Sequence, residues 1–176
     1  MTQRRQGGLF VGDLTGDNGL GTLLEALDFF PGARVVVIGA GREEARVRAH
    51  PAIDLLGRSA RYSAQEHMER AAYLVIPSLK TELVPPRTLI EAFAHGLPVI
   101  ASRASALADC VEPGRNGLLF EAGSARDLAR RLAWAEAFPE KMRQMGECAK
   151  ADYQARFIAD WSYQRLFGER RRIARL

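Results

Sequence analysis

The chain of 176 residues has little cysteine, little lysine, few histidines and no long apolar run. Cys110 and Cys148 stand far apart, outside any metal or redox spacing. This excludes a disulfide scaffold and a cysteine-ligated metal centre, and free thiols are expected. No segment reaches the roughly 18 consecutive apolar residues that span a bilayer, and the polar stretch 1–6 leads into no apolar signal segment; the expected compartment is the cytoplasm. His50, His67 and His95 each lack a second ligand at metal spacing, so no metal site is expected.

Only three of the 25 basic residues are lysines, Lys80, Lys141 and Lys150, and the formal net charge is +4. The one local concentration, Glu169-Arg170-Arg171-Arg172-Ile173-Ala174-Arg175, has the charge to meet nucleic acid or an anionic membrane surface. No aromatic-interleaved basic stripe accompanies it. We therefore expect no nucleic-acid binding and at most weak membrane-surface contact. The content of 47% hydrophobic and 26% charged residues is that of an ordinary globular domain with a sizeable core.

Short apolar runs near 9–12, 34–39, 53–57, 73–77, 98–102 and 117–120 alternate with helical patterns such as Leu20, Leu23, Leu24, Leu27 and Leu89, Ile90, Phe93. From 125 onward the strand pattern vanishes. The expected fold is α/β: a Rossmann-like doubly wound parallel sheet of about six strands, finished by C-terminal helices, as one domain over 1–176. Ser63 and Ser124 begin capping-box patterns, and Gly96 followed by Pro98 ends the helix that contains Glu91. Ligands of such sheets bind beyond the carboxyl ends of the strands, here at Gly12, Gly39, Gly57, Pro77 and Ser102.

The run Val35-Val36-Val37-Ile38-Gly39-Ala40-Gly41-Arg42-Glu43-Glu44 raises a dinucleotide loop as a first candidate. That loop needs a third glycine where Glu44 stands, and two carboxylates in the first helical turn repel a pyrophosphate. A strand ending in a tight turn is the better reading. The stretch from Pro77 to Ser102 carries more chemistry. Pro86 suits the first turn of a helix, which leaves the amides of Arg87, Thr88 and Leu89 open at the ligand-binding edge. One turn on, Glu91 can accept hydrogen bonds from two adjacent ribose hydroxyls.

This stretch resembles the donor-site motif of glycosyltransferase family 4, the group 1 glycosyltransferases: a Pro-Ser strand end, a Glu, a second Glu, then Ala-x-Ala-x-Gly-x-Pro-Val-Ile-Ala-Ser. Leu9-Phe10-Val11-Gly12, Gly19-Leu20-Gly21-Thr22-Leu23-Leu24-Glu25-Ala26, Val37-Ile38-Gly39-Ala40-Gly41, Leu55-Leu56-Gly57 and Gly114-Arg115-Asn116-Gly117-Leu118-Leu119-Phe120 agree in order and spacing. The resemblance implies the C-terminal, donor-binding half of a two-domain GT-B enzyme. Such an enzyme is retaining, needs no metal or other cofactor, and takes a UDP-, GDP- or ADP-sugar for polysaccharide or glycoconjugate synthesis. It further implies that Glu91 holds the ribose, Glu82 approaches the donor sugar, and the amides near Arg87, Thr88 and Leu89 hold the diphosphate. Gly12 and Asn18 would face the phosphates, and the backbone at Gly57 and Arg58 would meet the base. The acceptor domain would come from a longer enzyme or a separate partner, and the chain alone is expected to be inactive.

Several positions depart from the pattern. Asp13 and Asn18 stand where the family usually has cations, Glu82 and Glu91 enclose eight residues instead of seven, and Ser105 and Asp109 replace a usual Gly and Glu. Less positive charge then meets the leaving group. The alternative is a non-catalytic nucleotide-binding or regulatory module with a degenerate donor site. A nucleotide-sugar epimerase half would share the fold, but no extra acid/base cluster supports it.

Overall fold

Six apolar runs become six strands: Gly8–Val11 (β1), Val35–Ile38 (β2), Ile53–Leu55 (β3), Tyr73–Ile76 (β4), Val99–Ser102 (β5) and Gly117–Phe120 (β6). The computed structural model describes residues 5–58, 60, 63–81 and 84–158. All strand pairs are parallel, in the order β3-β2-β1-β4-β5-β6. The strands read as nearly unbroken apolar runs because helices cover both faces of the sheet.

Among the described residues seven helices do the covering: Leu20–Phe29 (α1), Glu44–Arg48 (α2), Ala64–Arg70 (α3), Arg87–Ala94 (α4), Ser105–Cys110 (α5), Ala125–Ala137 (α6) and Pro139–Asp152 (α7). A π-helical turn, Tyr153–Ile158, follows α7. Side chains alternate along each strand and so feed two cores. On one face Phe10, Val37, Val75, Ile100 and Phe120 meet Leu20, Leu23 and Leu27 of α1 and Leu128 and Leu132 of α6. On the other, Leu9, Ile38, Leu74, Val99 and Leu119 meet Met68 of α3, Leu89 and Phe93 of α4 and Leu107 of α5.

The pairing at the centre of the sheet is short. β1 matches β2 over four positions, from Gly8 opposite Val35 to Val11 opposite Ile38, but it matches β4 only at Gly8 opposite Tyr73 and Leu9 opposite Leu74. The two central strands therefore part before their carboxyl ends.

Two local expectations need correction. Ser63 precedes α3, but its hydroxyl donates to the Ala60 carbonyl at 3.1 Å and caps nothing. Pro86 is the residue before α4, not part of its first turn: its backbone is extended (φ −64°, ψ 144°), and its carbonyl accepts the first bond of the helix, from the Leu89 amide. Ser124 does cap α6, accepting from the Asp127 amide, while Asp127 reaches back to the Glu121 amide. Both cysteines are free. Among the described residues no helix is long and apolar enough to cross a membrane. The basic segment 169–175 lies outside the described residues.

Candidate nucleotide-binding cleft

The order of the strands reverses between β1 and β4, and open α/β sheets bind ligands beyond the carboxyl ends at such a point. A cavity of about 250 Å³ lies there. Its floor is Phe10 and Val11 of β1 with Gly12 after them, and Val75 and Ile76 of β4 with Pro77 after them. Asp13, Asn18 and Lys80 line it with Pro86, Arg87 and Thr88 at the start of α4, and Ser78, Val84, Ala104, Ala106 and Leu107 also contribute.

Backbone contacts hold the loops that carry these residues. The Asn18 side-chain amide donates to the Asp13 carbonyl at 2.7 Å, closing the loop over a short 3₁₀ turn, Gly16–Asn18. Gly19 then takes a left-handed conformation (φ 77°), and a Cβ there would overlap the Pro77 carbonyl. Only glycine permits that approach. The Leu79 amide donates to the Asp17 carbonyl at 2.9 Å, and the Ser102 hydroxyl donates to the Ser78 carbonyl at 2.5 Å. The loop after β1, the loop after β4 and the end of β5 thus form one hydrogen-bonded rim.

The glycine turn after β2 supports this rim from behind. A Cβ at Gly39 would overlap the Gly12 carbonyl, the Leu14 amide donates to the Ala40 carbonyl at 3.0 Å, and the Glu43 amide donates to the Leu14 carbonyl at 3.1 Å. These glycines make room for protein backbone.

Charges on the rim are mixed. The Lys80 ammonium lies 3.5 Å from the Asp17 carboxylate. A hydrogen bond from Thr15, aided by Lys80, holds the Asp17 carboxyl below the usual range. Arg87 donates through Nε to Glu91 Oε1 at 2.7 Å, one helical turn away. Among the described residues no hydrogen bond engages the amides of Arg87 and Thr88, which face the end of α4 where the dipole favours anions.

The structure brings together Gly12, Asn18, Arg87 and Thr88. Glu91 stands one turn behind this group, 30% exposed at its side chain and bonded to Arg87. Leu89 is fully buried in the core, and its amide is already bonded to Pro86, which corrects the expectation that this amide is open. Gly57 and Arg58 follow β3, two strands from β1 on the same edge of the sheet; Gly57 accepts from the Gly39 amide at 3.2 Å, and neither residue lines the cavity. Glu82 lies outside the described residues. Lys80 is a cleft residue that motif reading missed, although one of only three lysines in an arginine-rich chain was a visible signal.

A larger concavity, about 570 Å³, opens at the opposite edge around Arg5, Gly8, Arg34, Ile53 and Glu136. It lies at the amino ends of the strands, away from the switch point. Its polar groups serve the fold: Arg34 donates to the Pro51 carbonyl, and Tyr73 donates to Glu136.

Residues 5–136 match the profile of the family described as glycosyl transferases group 1. The chain belongs to the group 1 glycosyltransferases. No curated protein sequence matches it. Among solved structures, HepE of Anabaena in complex with UDP is 20% identical with a TM-score of 0.77, over 98% of this chain and 50% of that one. Sucrose-phosphate synthase from Thermosynechococcus elongatus is 24% identical with a TM-score of 0.80, over 97% of this chain and 45% of that one. The C-terminal domain of a group 1 family protein, LpcC, from Francisella tularensis is 19% identical with a TM-score of 0.70, each chain being covered to 88%. These likenesses establish the fold, one half of the GT-B architecture. The chain spans about half the length of the full-length structures it matches.

Proposed function

We propose that this group 1 domain binds the nucleotide-sugar donor of a sugar-transfer reaction, and that a second, acceptor-binding domain completes the enzyme. The carrying observation is the cleft at the switch point of the sheet, closed on one side by the open amides of α4. A volume of about 250 Å³ falls short of the roughly 300–1,000 Å³ of a self-sufficient ligand pocket, as suits one wall of an interdomain cleft. HepE bound to UDP and to UDP-glucose shares the fold, which supports a nucleotide donor; UDP, GDP and ADP sugars are the candidates.

In this reading the diphosphate rests on the amides of Arg87 and Thr88, beside Gly12 and Asn18, and Glu91 accepts from the ribose hydroxyls. Arg87 must then share or release Glu91, to which it is bonded in the structure. Glu82 approaches the sugar, and the backbone near Gly57 and Arg58 meets the base. When the glycosidic bond to the diphosphate breaks, negative charge gathers on the leaving phosphate, where fixed amide dipoles stabilise it without reorganising. Transfer proceeds with retention and without a metal. Membership of a transferase family favours this reading over a non-catalytic module.

Thermal melting with a panel of nucleoside diphosphates and their sugars tests it. A ligand at about 100 times its dissociation constant stabilises the fold by roughly 2.7 kcal/mol, a rise of about 5–10 °C in Tm. No shift with any member of the panel at millimolar concentration overturns the reading.

A further inference from the structure

We infer that Lys80 is the side chain that engages the diphosphate in this cleft, and that Asp17 holds its ammonium group while the cleft is empty. The inference rests on the donor-binding reading above and assigns the charge that reading needs. Among the described residues, three charged ones line the cavity: Asp13, Arg87 and Lys80. Asp13 repels an anion. Arg87 commits Nε to Glu91, and its side chain is 69% exposed, so much of its charge is spent in solvent. Lys80 is less exposed, at 38%.

The position of Lys80 is fixed by backbone, not by chance side-chain placement. The close approach of Gly19 to Pro77 and the bond from the Leu79 amide to Asp17 press the loop after β4 against the loop that carries Asn18. The Lys80 amide in turn donates to the Ser78 hydroxyl at 3.2 Å. Lys80 therefore lines the same cleft as Asn18, Arg87 and Thr88. A phosphate in that cleft would have an ammonium to one side and a helix terminus to the other.

The contact with Asp17 has the character of a holding position. At 3.5 Å it is longer than the 2.7–2.9 Å typical of a charge-assisted hydrogen bond, and the Asp17 side chain is 60% exposed. Such a pair is weak. Lysine is suited to the exchange, because a compact charge on a flexible stem can swing from carboxylate to phosphate without losing a fixed bidentate geometry.

The test is calorimetric titration of the wild type, Lys80→Gln, Asp17→Asn and Lys141→Gln with UDP, GDP, ADP, the matching nucleosides and inorganic pyrophosphate. Lys141 is an exposed residue near the start of α7 and controls for net charge. Lys80→Gln is expected to weaken diphosphate binding about tenfold or more with nucleoside binding unchanged, as for loss of a charged hydrogen bond. Asp17→Asn is expected to tighten it, Lys141→Gln to match the wild type, and the differences to shrink as salt rises. Wild-type diphosphate affinity in Lys80→Gln overturns the role of Lys80 and leaves the donor site standing. Equal losses for nucleoside and diphosphate also overturn it, because Lys80 would then be supporting the loop. A wild type that binds no probe, pyrophosphate included, overturns both the inference and the donor-site reading.

Discussion

Glu91 is the residue on which the ribose assignment turns, and its surroundings separate binding from folding. Leu89, Ile90 and Phe93 carry the packing of α4, while Glu91 lies at the surface with Arg87. Glu91→Ala is therefore expected to keep the melting temperature within a degree or two and to cost roughly 1.5–3 kcal/mol of nucleoside affinity, measured by titration. Unchanged affinity would remove Glu91 from the site. Its place on α4 was legible in the sequence because the cues of the helix are local: a proline before it, an apolar stripe behind it, and a glycine after it. Lys80 was not legible as a cleft residue. Its position depends on contacts between chain segments about 60 residues apart, Gly19 against Pro77 and Asp17 with Leu79, which no local pattern encodes.

Among the elements, the loop before β6 shows how a motif can serve stability. Asn116 is fully buried: its Oδ1 accepts from the Glu112 amide at 2.8 Å, and its Nδ2 donates to Asp152 Oδ2 at 2.7 Å and to the Cys110 carbonyl at 3.1 Å. Arg115 adds a bidentate pair to Asp152 at 2.7 and 2.8 Å. The network ties the last residue of α7 to the loop and to α5. Burial opposes ionisation of Asp152, but the hydrogen bonds from Arg115 and Asn116 and the Arg115 charge outweigh it and hold the carboxyl below its usual value. A depressed folded-state value stabilises the fold above the ordinary unfolded carboxyl value of about 3.9, and that stabilisation is lost as pH falls through the folded value. Asp152→Ala is expected to cost roughly 1.5–3 kcal/mol at neutral pH, seen as a Tm lower by several degrees, with the gap from wild type narrowing below about pH 4. A gap independent of pH would show that packing, not charge, is the cause. The sequence marked this motif but not its partner, since Asp152 lies 36 positions from Asn116.

At the scale of the whole molecule, all six strands were legible, because parallel strands covered on both faces must be apolar throughout and are separated by helices with a different period. The cleft was legible as an edge of the sheet and in Gly12, Asn18, Arg87 and Thr88, which line it. Of its charges, Asp13 and Lys80 come from loops and Arg87 from the first turn of α4. The donor-binding reading also predicts a division of labour: the isolated chain binds nucleotide but transfers no sugar, and transfer appears only when an acceptor-binding domain is joined or added. A sugar-release assay on the chain alone and on the joined protein checks this, and transfer by the chain alone would contradict it.

The short pairing between β1 and β4 also bears on how the chain must come together during synthesis. The two halves of the sheet share only two matched positions, so the strands alone hold them weakly. Besides the rim of loops after β1 and β4, what bridges them is α6, which follows β6 yet packs on α1, with Leu128 and Leu132 sharing a core with Leu23 and Leu27. The first helix is thus finished by a helix made about a hundred residues later. Until that segment has emerged from the ribosome, α1 has an uncovered apolar face, and the first half of the chain waits on the second.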